Sequence, residues 1–364
     1  MNILFCSSIY ANKDTGLYWS IPNQVRAQGK YDNVFWYNLW MGETEEWKAT
    51  NYYYSLQDYP SGRLKDLPAP FDYPDLVVFE TVYIFAFKAI VFDVWKKNIP
   101  YIIIPRSSLT APAQKIKPVK KWIGNLLFFG KFTRKALAIQ YLTENEYKES
   151  GDKWNKNHVI IGNGITLPSN RKEVFSQKGL KGVFIGRLTL YHKGLDLLVE
   201  ACNEVQDELR KAGCSIHIYG QDREGVIEYL DNYVRKKHLD DIVFYHYGAV
   251  FGTEKEKVLL DNDFFILTSR LEGHPMALIE ALSYGLPCLV TQGSNMREEI
   301  EDVDAGWGAE VNIDSIAKGL LKILSEKALL DFKSKNAIVL AERYNWDRLA
   351  LRAHREYEML LKIR

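Results

Sequence analysis

One segment, Phe264–Val290, constrains the fold more than any other because its pattern specifies a strand, a loop, a helix and a second strand in succession. An apolar run of strand length, Phe264–Leu267, leads into a polar loop, and Pro275 stands where helices commonly begin. Met276–Tyr284 is predicted to be the helix and Cys288–Thr291 the next strand. Such a unit points the free N–H groups of the first helical turn at the carboxyl end of a strand, where an α/β sheet binds an anion.

These free N–H groups, expected from about residue 274 to residue 278, lie between two glutamates, Glu272 and Glu280. Glu280 is more than one turn beyond Pro275, so its carboxylate could reach the two hydroxyls of a ribose while the helix start binds phosphate. The alternative is that Glu280 is a solvated helix residue and Glu272 a loop charge. The apolar neighbours of Glu280 favour a functional role, because a carboxylate in a buried segment is costly unless it has partners.

The sequence SRLEGHPMALIEALSYGLPCLV resembles the E-x7-E signature of the retaining glycosyltransferases of family 4, which have the GT-B architecture. The order of residues agrees over more than twenty positions. The resemblance implies that Glu280 binds the nucleotide ribose and that Glu272 lies against the donor sugar. It places the residues between them near the diphosphate and the sugar: Gly273, His274, Pro275, Met276, Ala277 and Leu278. His274 is a departure, because the family more often has a bulky apolar residue there, and it is expected to tune the choice of sugar.

Length and composition indicate two ordinary globular domains. A chain of 364 residues exceeds what one hydrophobic core usually supports, and 47% hydrophobic with 26% charged residues excludes a disordered protein. The net charge of +1 gives no general attraction to nucleic acid, so no nucleic-acid partner is expected. The four cysteines are far apart and lack a C-x-x-C pair, which favours reduced buried thiols over a zinc site.

The alternation of strand-like and helical runs predicts α/β architecture with two parallel sheets, and the GT-B resemblance implies that the two Rossmann-like domains face a cleft. We expect an acceptor-binding domain over residues 1–165 and a nucleotide-sugar-binding domain over residues 166–345. The helix at 346–364 is expected to pack back on the first domain, as in GT-B proteins. The Asn-Gly pair at 163–164 and the polar run Ser169–Lys181 are interpreted as the linker.

The first apolar run, Met1–Ile9, is predicted to be a strand and not a cleavable signal, because no basic region precedes it. No run of about 18 apolar residues suggests a membrane span. These features predict a cytoplasmic protein.

A second group of candidate site residues lies in GRLTLYHKGLDLLVEA, Gly186–Ala201. Arg187 follows a predicted strand, and Lys193 precedes a predicted helix with an apolar stripe. A planar guanidinium and a mobile ammonium suit a diphosphate that gains charge as it leaves. Two surface cations are the alternative. The family has an Arg and a Lys at this spacing, which implies that Arg187 and Lys193 bind the donor diphosphate.

Other site residues rest on the resemblance. Gly220, Gly248 and Val250 follow predicted strands and resemble positions that meet the nucleotide base through backbone atoms, so side chains do not distinguish uracil from guanine. Arg106 stands where many relatives have a His. It is expected to support the diphosphate or an acidic acceptor, or else to be a structural salt-bridge residue. Gly16 is what remains of the family's glycine-rich loop after the first strand.

The predicted activity is that of a retaining glycosyltransferase. It would move a sugar from a nucleoside diphosphate sugar, with UDP favoured and GDP an alternative, to a saccharide or lipid-linked saccharide acceptor in bacterial surface polysaccharide assembly. The D-x-D patterns at 261–263 and 302–304 are assigned to turns or caps, so neither a metal nor a cofactor is expected. A GT-B-like sugar-nucleotide epimerase and a catalytically silent partner subunit are the alternatives.

The segment Ala111–Gln140 predicts contact with an anionic membrane surface. It holds seven cations and no acidic residue, although the whole chain is almost neutral. Apolar residues are interleaved with the cations, as in helices that lie in a lipid interface: Ile116, Trp122, Ile123, Leu126, Leu127, Phe128, Phe129 and Phe132. A core helix with a solvated basic face and a basic wall for an acidic acceptor are the alternatives.

Overall fold

The computed structural model describes residues 1–13 and 15–363, and these residues form two compact units. Unit 1 is Met1–Gly164 together with the helix that begins at Trp346, and unit 2 is Ile165–Asn345. The first expected boundary, after residue 165, is one residue later than the observed one, and the second, after residue 345, is the same as the observed one. The polar run Ser169–Lys181, interpreted as a linker, belongs to unit 2, because Phe175 is buried in that unit's core and Lys181 begins its first strand.

Unit 1 contains a parallel sheet of seven strands within the part of the chain that the structure describes. The strands are β1 (Asn2–Ser7), β2 (Asn33–Asn38), β3 (Tyr53–Ser55), β4 (Leu76–Glu80), β5 (Tyr101–Ile104), β6 (Ala138–Tyr141) and β7 (His158–Ile160). Their order is β3-β2-β1-β4-β5-β6-β7, and every neighbouring pair is parallel. The predicted parallel sheet is confirmed.

The helices of unit 1 cover both faces of this sheet, and separate apolar clusters fill the two sides. They are α1 (Gly16–Gln28), α2 (Glu45–Lys48), α3 (Lys88–Lys96), α4 (Ala111–Lys115), α5 (Pro118–Gly124), α6 (Gly130–Lys135) and α7 (Glu144–Ser150). A π-helical turn, Asn125–Phe129, joins α5 to α6, and 3-10 turns occur at Leu64–Asp66 and Phe85–Phe87.

Unit 2 contains a second parallel sheet, with six strands among its described residues. They are β8 (Lys181–Ile185), β9 (Ser215–Gly220), β10 (Val243–Tyr247), β11 (Phe264–Leu267), β12 (Cys288–Thr291) and β13 (Gly306–Ala309). Their order is β10-β9-β8-β11-β12-β13, and all pairs are parallel. The chain therefore reverses its direction across the sheet at β8, which has β9 on one side and β11 on the other.

The helices of unit 2 pack against this sheet around one large apolar core. They are α8 (Leu190–Lys193), α9 (Leu195–Glu204), α10 (Gln206–Ala212), α11 (Val226–Lys237), α12 (Gly252–Asp261), α13 (Met276–Ser283), α14 (Arg297–Asp302), α15 (Ile313–Ser325) and α16 (Leu330–Glu342). Further 3-10 turns lie at Gln292–Ser294 and Lys327–Leu329.

The last helix, α17 (Trp346–Ile363), packs on unit 1 as predicted. Its buried face includes Leu349 and Ala353, which join the apolar cluster beneath α1. Tyr357 donates a hydrogen bond of 2.5 Å to the side-chain carbonyl of Gln140 at β6. None of the described helices, α17 included, combines the length and the apolar character that crossing a membrane requires.

The segment 111–140 is not one amphipathic helix but several short helical pieces, and its apolar residues divide into two groups. Phe128, Phe129 and Phe132 belong to the core of unit 1, with Phe132 stacked on Tyr101, so they are unable to enter a lipid interface. The remaining members of the expected lipid-facing set are exposed, and Val119 joins them: Ile116, Trp122, Ile123, Leu126 and Leu127.

Candidate functional site

The candidate site lies at the carboxyl edge of the sheet of unit 2, where the chain passes β8 and β11. Because parallel strands end at the same edge, the residues after Ile185 of β8 and after Leu267 of β11 are neighbours. The pair β8–β11 is also the place where the strand order reverses, which is where open α/β sheets bind ligands. Arg187 follows the first of these strands, and Glu272 follows the second.

Arg187 has an exposed side chain on a fixed backbone. The amide of Gly186 donates to the carbonyl of Tyr219, and the amide of Leu188 donates to the carbonyl of Gln221, both at 3.1 Å. The Arg187 side chain itself forms no hydrogen bond or ion pair with any residue that the structure describes. The Arg187 guanidinium is therefore available to bind an anion at the edge of the sheet.

Lys193 and Glu272 are in direct contact. The Lys193 ammonium donates to Oε1 of Glu272 at 2.5 Å, and the Ser269 hydroxyl donates to the same oxygen at 2.6 Å. Gly194, next to Lys193, lets the two loops lie close together, because a Cβ atom on Gly194 would lie 2.1 Å from the carbonyl oxygen of Thr268. Two of the residues that the sequence predicted for one site are therefore brought together.

The loop that carries Glu272 is held by Asn295, a residue that sequence reasoning missed. Its side-chain amide donates to the carbonyls of Glu272 and, at 3.2 Å, of Gly273. Asn295 has a φ of 61° and follows the 3-10 turn Gln292–Ser294. An asparagine tolerates this left-handed backbone better than most residues, but no pattern in the sequence indicates which carbonyls it reaches.

Helix α13 presents fewer free amides than expected. The amide of Leu278 donates to the carbonyl of Pro275 at 3.1 Å, and the Leu278 side chain is buried, so Leu278 does not offer a free N–H to a ligand. The amides of Met276 and Ala277 have no acceptor among the described residues. These two N–H groups, at the positive end of the helix dipole, remain to bind an anion.

His274 is buried beneath the loop, with its ring centroid 5.0 Å from that of Tyr344. Burial lowers the pKa of His274 to about 3, so the imidazole is neutral at physiological pH. The expectation that His274 tunes the sugar is not favoured by this geometry, because the side chain packs inside unit 2 and leaves mainly the backbone near the site.

Glu280 is partly buried on α13, and its carboxylate accepts a hydrogen bond from the ammonium of Lys255 on α12. Sequence reasoning missed Lys255. The only available signal was its position one turn into the helix that follows β10, at the same edge of the sheet.

The three residues proposed to meet the base lie at the ends of β9 and β10, and Gly220 and Gly248 form an isolated bridge. A Cβ atom on Gly220 would lie 1.8 Å from the carbonyl oxygen of Gly186, so this position requires glycine for packing alone. Gly248 has a φ of 92° with open space beside it, and Val250 is buried. Backbone atoms are therefore what these positions present.

Arg106, in unit 1, is a correction to the predicted catalytic set. Its guanidinium donates to Glu80 at 2.7 Å and to both Gln24 and Asn163 at 3.0 Å, and only 6% of the side chain is exposed. The structure thus supports the structural salt-bridge alternative. Gly16 is the first residue of α1, and no described atom lies close enough to require glycine there.

One aspartate of each D-x-D pattern, Asp263 or Asp304, has hydrogen-bond or ion-pair partners within unit 2. Asp263 is buried and accepts hydrogen bonds of 2.9 Å from the amides of Ser176 and Lys181, with the Lys172 ammonium 3.4 Å away. Asp304 pairs with the buried Lys333.

Comparison with known proteins agrees with the geometry of unit 2. Residues 168–339 match the family model described as Glycosyl transferases group 1. An uncharacterised glycosyltransferase of Methanocaldococcus jannaschii is 28% identical over 184 residues, which are 50% of this chain and 45% of that protein. The UDP-Gal:alpha-D-GlcNAc-diphosphoundecaprenol alpha-1,3-galactosyltransferase of Escherichia coli is 36% identical over 80 residues, 22% of this chain and 20% of that protein.

The likeness to solved structures extends over the whole chain. The Anabaena protein HepE, solved in complex with UDP, aligns with a TM-score of 0.75 at 13% identity and covers 99% of this chain and 100% of its own. At that identity the likeness shows the fold, which is GT-B. The chain spans about half the length of the curated relatives that it matches first.

Proposed function

We propose that the protein is a retaining glycosyltransferase that uses a nucleoside diphosphate sugar, and the match of residues 168–339 to the group 1 glycosyl transferases supports this proposal. The observation that carries the proposal is the arrangement around the β8–β11 switch point. Three features lie at one edge of the sheet: an exposed guanidinium (Arg187) and two amides (Met276 and Ala277) that have no partner among the described residues, and an ammonium–carboxylate pair (Lys193 and Glu272).

These groups suit the departure of a diphosphate. Negative charge grows on the leaving phosphate in the transition state, and preorganised donors aimed at that charge lower the barrier. Arg187 supplies a planar fork, Lys193 a point charge and the first turn of α13 a partial positive charge. Glu272 would lie against the donor sugar and Glu280 against the ribose.

Retention of configuration is proposed to follow attack on the face from which the diphosphate leaves, with the phosphate taking the acceptor's proton. The double displacement of retaining glycosidases uses two carboxylates that lie close together. Glu280 is paired with Lys255 and is assigned to the ribose, so it is not proposed as a second carboxylate for Glu272. Analysis of the anomeric configuration of the product by NMR tests this step, and an inverted product would refute it.

UDP is the favoured nucleotide. In support, the name of the Escherichia coli relative includes a UDP-sugar and the Anabaena structure contains UDP, while GDP remains the alternative. A thermal-shift panel of UDP, GDP, ADP and their sugars is the direct test. A ligand at about 100 times its Kd stabilises by about 2.7 kcal/mol, which corresponds to about 5–11 °C for a unit of this size. If no nucleotide raises the Tm, the proposal is wrong.

The proposed acceptor is a saccharide or a lipid-linked saccharide of bacterial surface polysaccharide assembly. The name of the Escherichia coli relative, which includes a diphosphoundecaprenol-linked sugar, supports this class. A sugar-nucleotide epimerase would instead consume the donor and release an isomer without an acceptor, and a silent subunit would consume none. Donor consumption measured with and without candidate acceptors separates the three functions.

Catalysis is proposed to need no metal ion, because Arg187, Lys193 and the helix amides already offset the phosphate charge. Activity should therefore survive EDTA. Activity that is abolished by EDTA and restored by magnesium or manganese would refute this part of the proposal.

We further propose that unit 1 binds an anionic membrane surface. The exposed apolar residues Ile116, Trp122, Leu126 and Leu127 are accompanied by cations of which six are exposed: Lys115, Lys117, Lys120, Lys131, Arg134 and Lys135. Each cation near an anionic leaflet contributes about 1 kcal/mol, and exposed Trp and Leu insert between headgroups.

Co-sedimentation with phosphatidylglycerol vesicles at low salt tests the surface. Changing Lys117, Lys120 and Lys131 to Glu should abolish binding. A control triple variant with the same charge change at exposed lysines elsewhere in unit 1, Lys65, Lys148 and Lys156, should bind like the wild type. The proposal fails if the wild type does not bind or if both triple variants behave alike.

A further inference from the structure

Lys255 touches the carboxylate that the proposed function assigns to the donor ribose. Its ammonium donates to Oε2 of Glu280, although the two residues are 25 positions apart in the chain. The contact lies in a partly enclosed place, because 17% of the Lys255 side chain and 25% of the Glu280 side chain are exposed. The family motif that identified Glu280 says nothing about this partner.

A surface ion pair that serves only stability is the simplest interpretation, and such pairs usually contribute little. The position of Lys255 argues for more. Helix α12 begins at Gly252, two residues after Val250, the last of the residues that are proposed to meet the base. The ribose is bonded to the base, so a residue one turn into this helix and in contact with Glu280 lies where the ribose is expected.

The hydrogen-bonding capacities of the pair match those of a ribose. A carboxylate has about four acceptor sites, so Glu280 keeps sites for ribose hydroxyls after it accepts from Lys255. An ammonium has three donors, of which Lys255 uses one on Glu280. A hydroxyl both donates and accepts, and could therefore donate to Glu280 and accept from Lys255 at the same time.

We propose that Lys255 is a donor-site residue that fixes the Glu280 carboxylate and donates to a ribose hydroxyl, so that the site selects ribonucleotides over 2′-deoxyribonucleotides. This inference rests on the proposed function, because it requires the nucleotide to bind beside Glu280. It predicts that the preference for ribonucleotides depends on the Lys255 amine, and nucleotide binding can be measured without the acceptor substrate.

Isothermal titration calorimetry with UDP, dUDP, GDP and dGDP tests the inference. The wild type should bind its preferred ribonucleotide on the order of 10- to 100-fold more tightly than the deoxy analogue, since the missing hydroxyl leaves polar partners unpaired. Lys255→Met should weaken ribonucleotide binding about 10-fold and lower the preference for the ribonucleotide over the deoxy analogue to below about 3-fold. Lys257→Met, an exposed lysine of the same helix, is the matched control and should bind like the wild type.

Lys255→Gln keeps a donor on a shorter side chain and provides a second variant if Lys255→Met proves unstable in a thermal melt. Unchanged affinity and preference in the folded variants, or tighter ribonucleotide binding than in the wild type, would overturn the role of Lys255 and leave the proposed function standing. If the wild type binds neither UDP nor GDP, the proposed function and this inference are both wrong.

Discussion

Arg187→Ala should separate activity from stability. The side chain is exposed and has no partner among the described residues, so its removal should change the free energy of unfolding by less than about 0.5 kcal/mol. The corresponding change in Tm is at most about 2 °C. The loss of a donor aimed at transition-state charge costs about 2.7–4 kcal/mol, which lowers kcat on the order of 100- to 1,000-fold.

Lys193→Ala provides the contrast. This change also removes a cation from the site, but it deprives Glu272 of its ammonium partner and leaves Ser269 as the remaining donor to Oε1. When a partly buried carboxylate loses a charged partner, the free energy of unfolding falls by about 1–3 kcal/mol. We therefore expect Lys193→Ala to lower both turnover and Tm, the latter by about 2–12 °C.

The assay is kcat/KM for the donor that the nucleotide panel identifies, measured beside a thermal melt of each variant. Lys178→Ala, an exposed lysine in the segment before β8, is the control and should match the wild type in both measurements. Wild-type kcat/KM in Arg187→Ala would refute the assignment to the diphosphate. A fall in Tm as large as that of Lys193→Ala would show that Arg187 has a structural role.

Two further predictions concern buried charges. Asp263→Ala should lower the stability of unit 2 by about 3 kcal/mol or more in urea unfolding, because two backbone amides lose their acceptor and Lys172 loses its ion-pair partner; added divalent metal should not compensate. Arg106→Ala should destabilise unit 1 by about 3–5 kcal/mol by leaving the Glu80 carboxylate buried and unpaired. Burial raises the pKa of Glu80 and Arg106 opposes this, so without Arg106 the Glu80 carboxyl should bind its proton more tightly in the folded variant than in the unfolded chain. The stability of the variant should therefore rise from pH 8 to pH 5. A loss of stability that is the same at both pH values would contradict this account.

The strands that the sequence predicted best are continuous apolar runs between polar residues. Phe264–Leu267 and Cys288–Thr291 have the predicted bounds, because strands buried on both faces need such runs. β13 was missed because Gly306 and Gly308 weaken the strand signal. The structure explains Gly308, since a Cβ atom there would lie 2.3 Å from the Glu301 carboxyl carbon on α14.

The site was predictable where it depends on local geometry and not where it depends on tertiary contacts. A strand end, a loop and a helix start follow one another in the chain, so the placement of Glu272 and of the two open amides of Met276 and Ala277 could be inferred from spacing, although Leu278 was wrongly included. Lys255 and Asn295 reach the same loop and helix from other elements. Neither contact leaves a periodic signal, and the sequence alone gave no reason to select these residues.

Arg106 and Arg187 show how a tertiary contact decides the role of an arginine that follows a buried parallel strand. Each arginine follows a buried strand after one intervening residue, Pro105 or Gly186. In unit 1 the neighbouring strand β4 ends in Glu80, which is paired with Ile104 in the sheet register, so a carboxylate stands where the guanidinium emerges. In unit 2 the neighbours of β8 end in Gly220 and Leu267, which offer no acidic side chain. An acidic residue at the end of an adjacent parallel strand therefore converts a candidate anion-binding arginine into a buried structural one, and that relation can be read from sequence once the strand order is known.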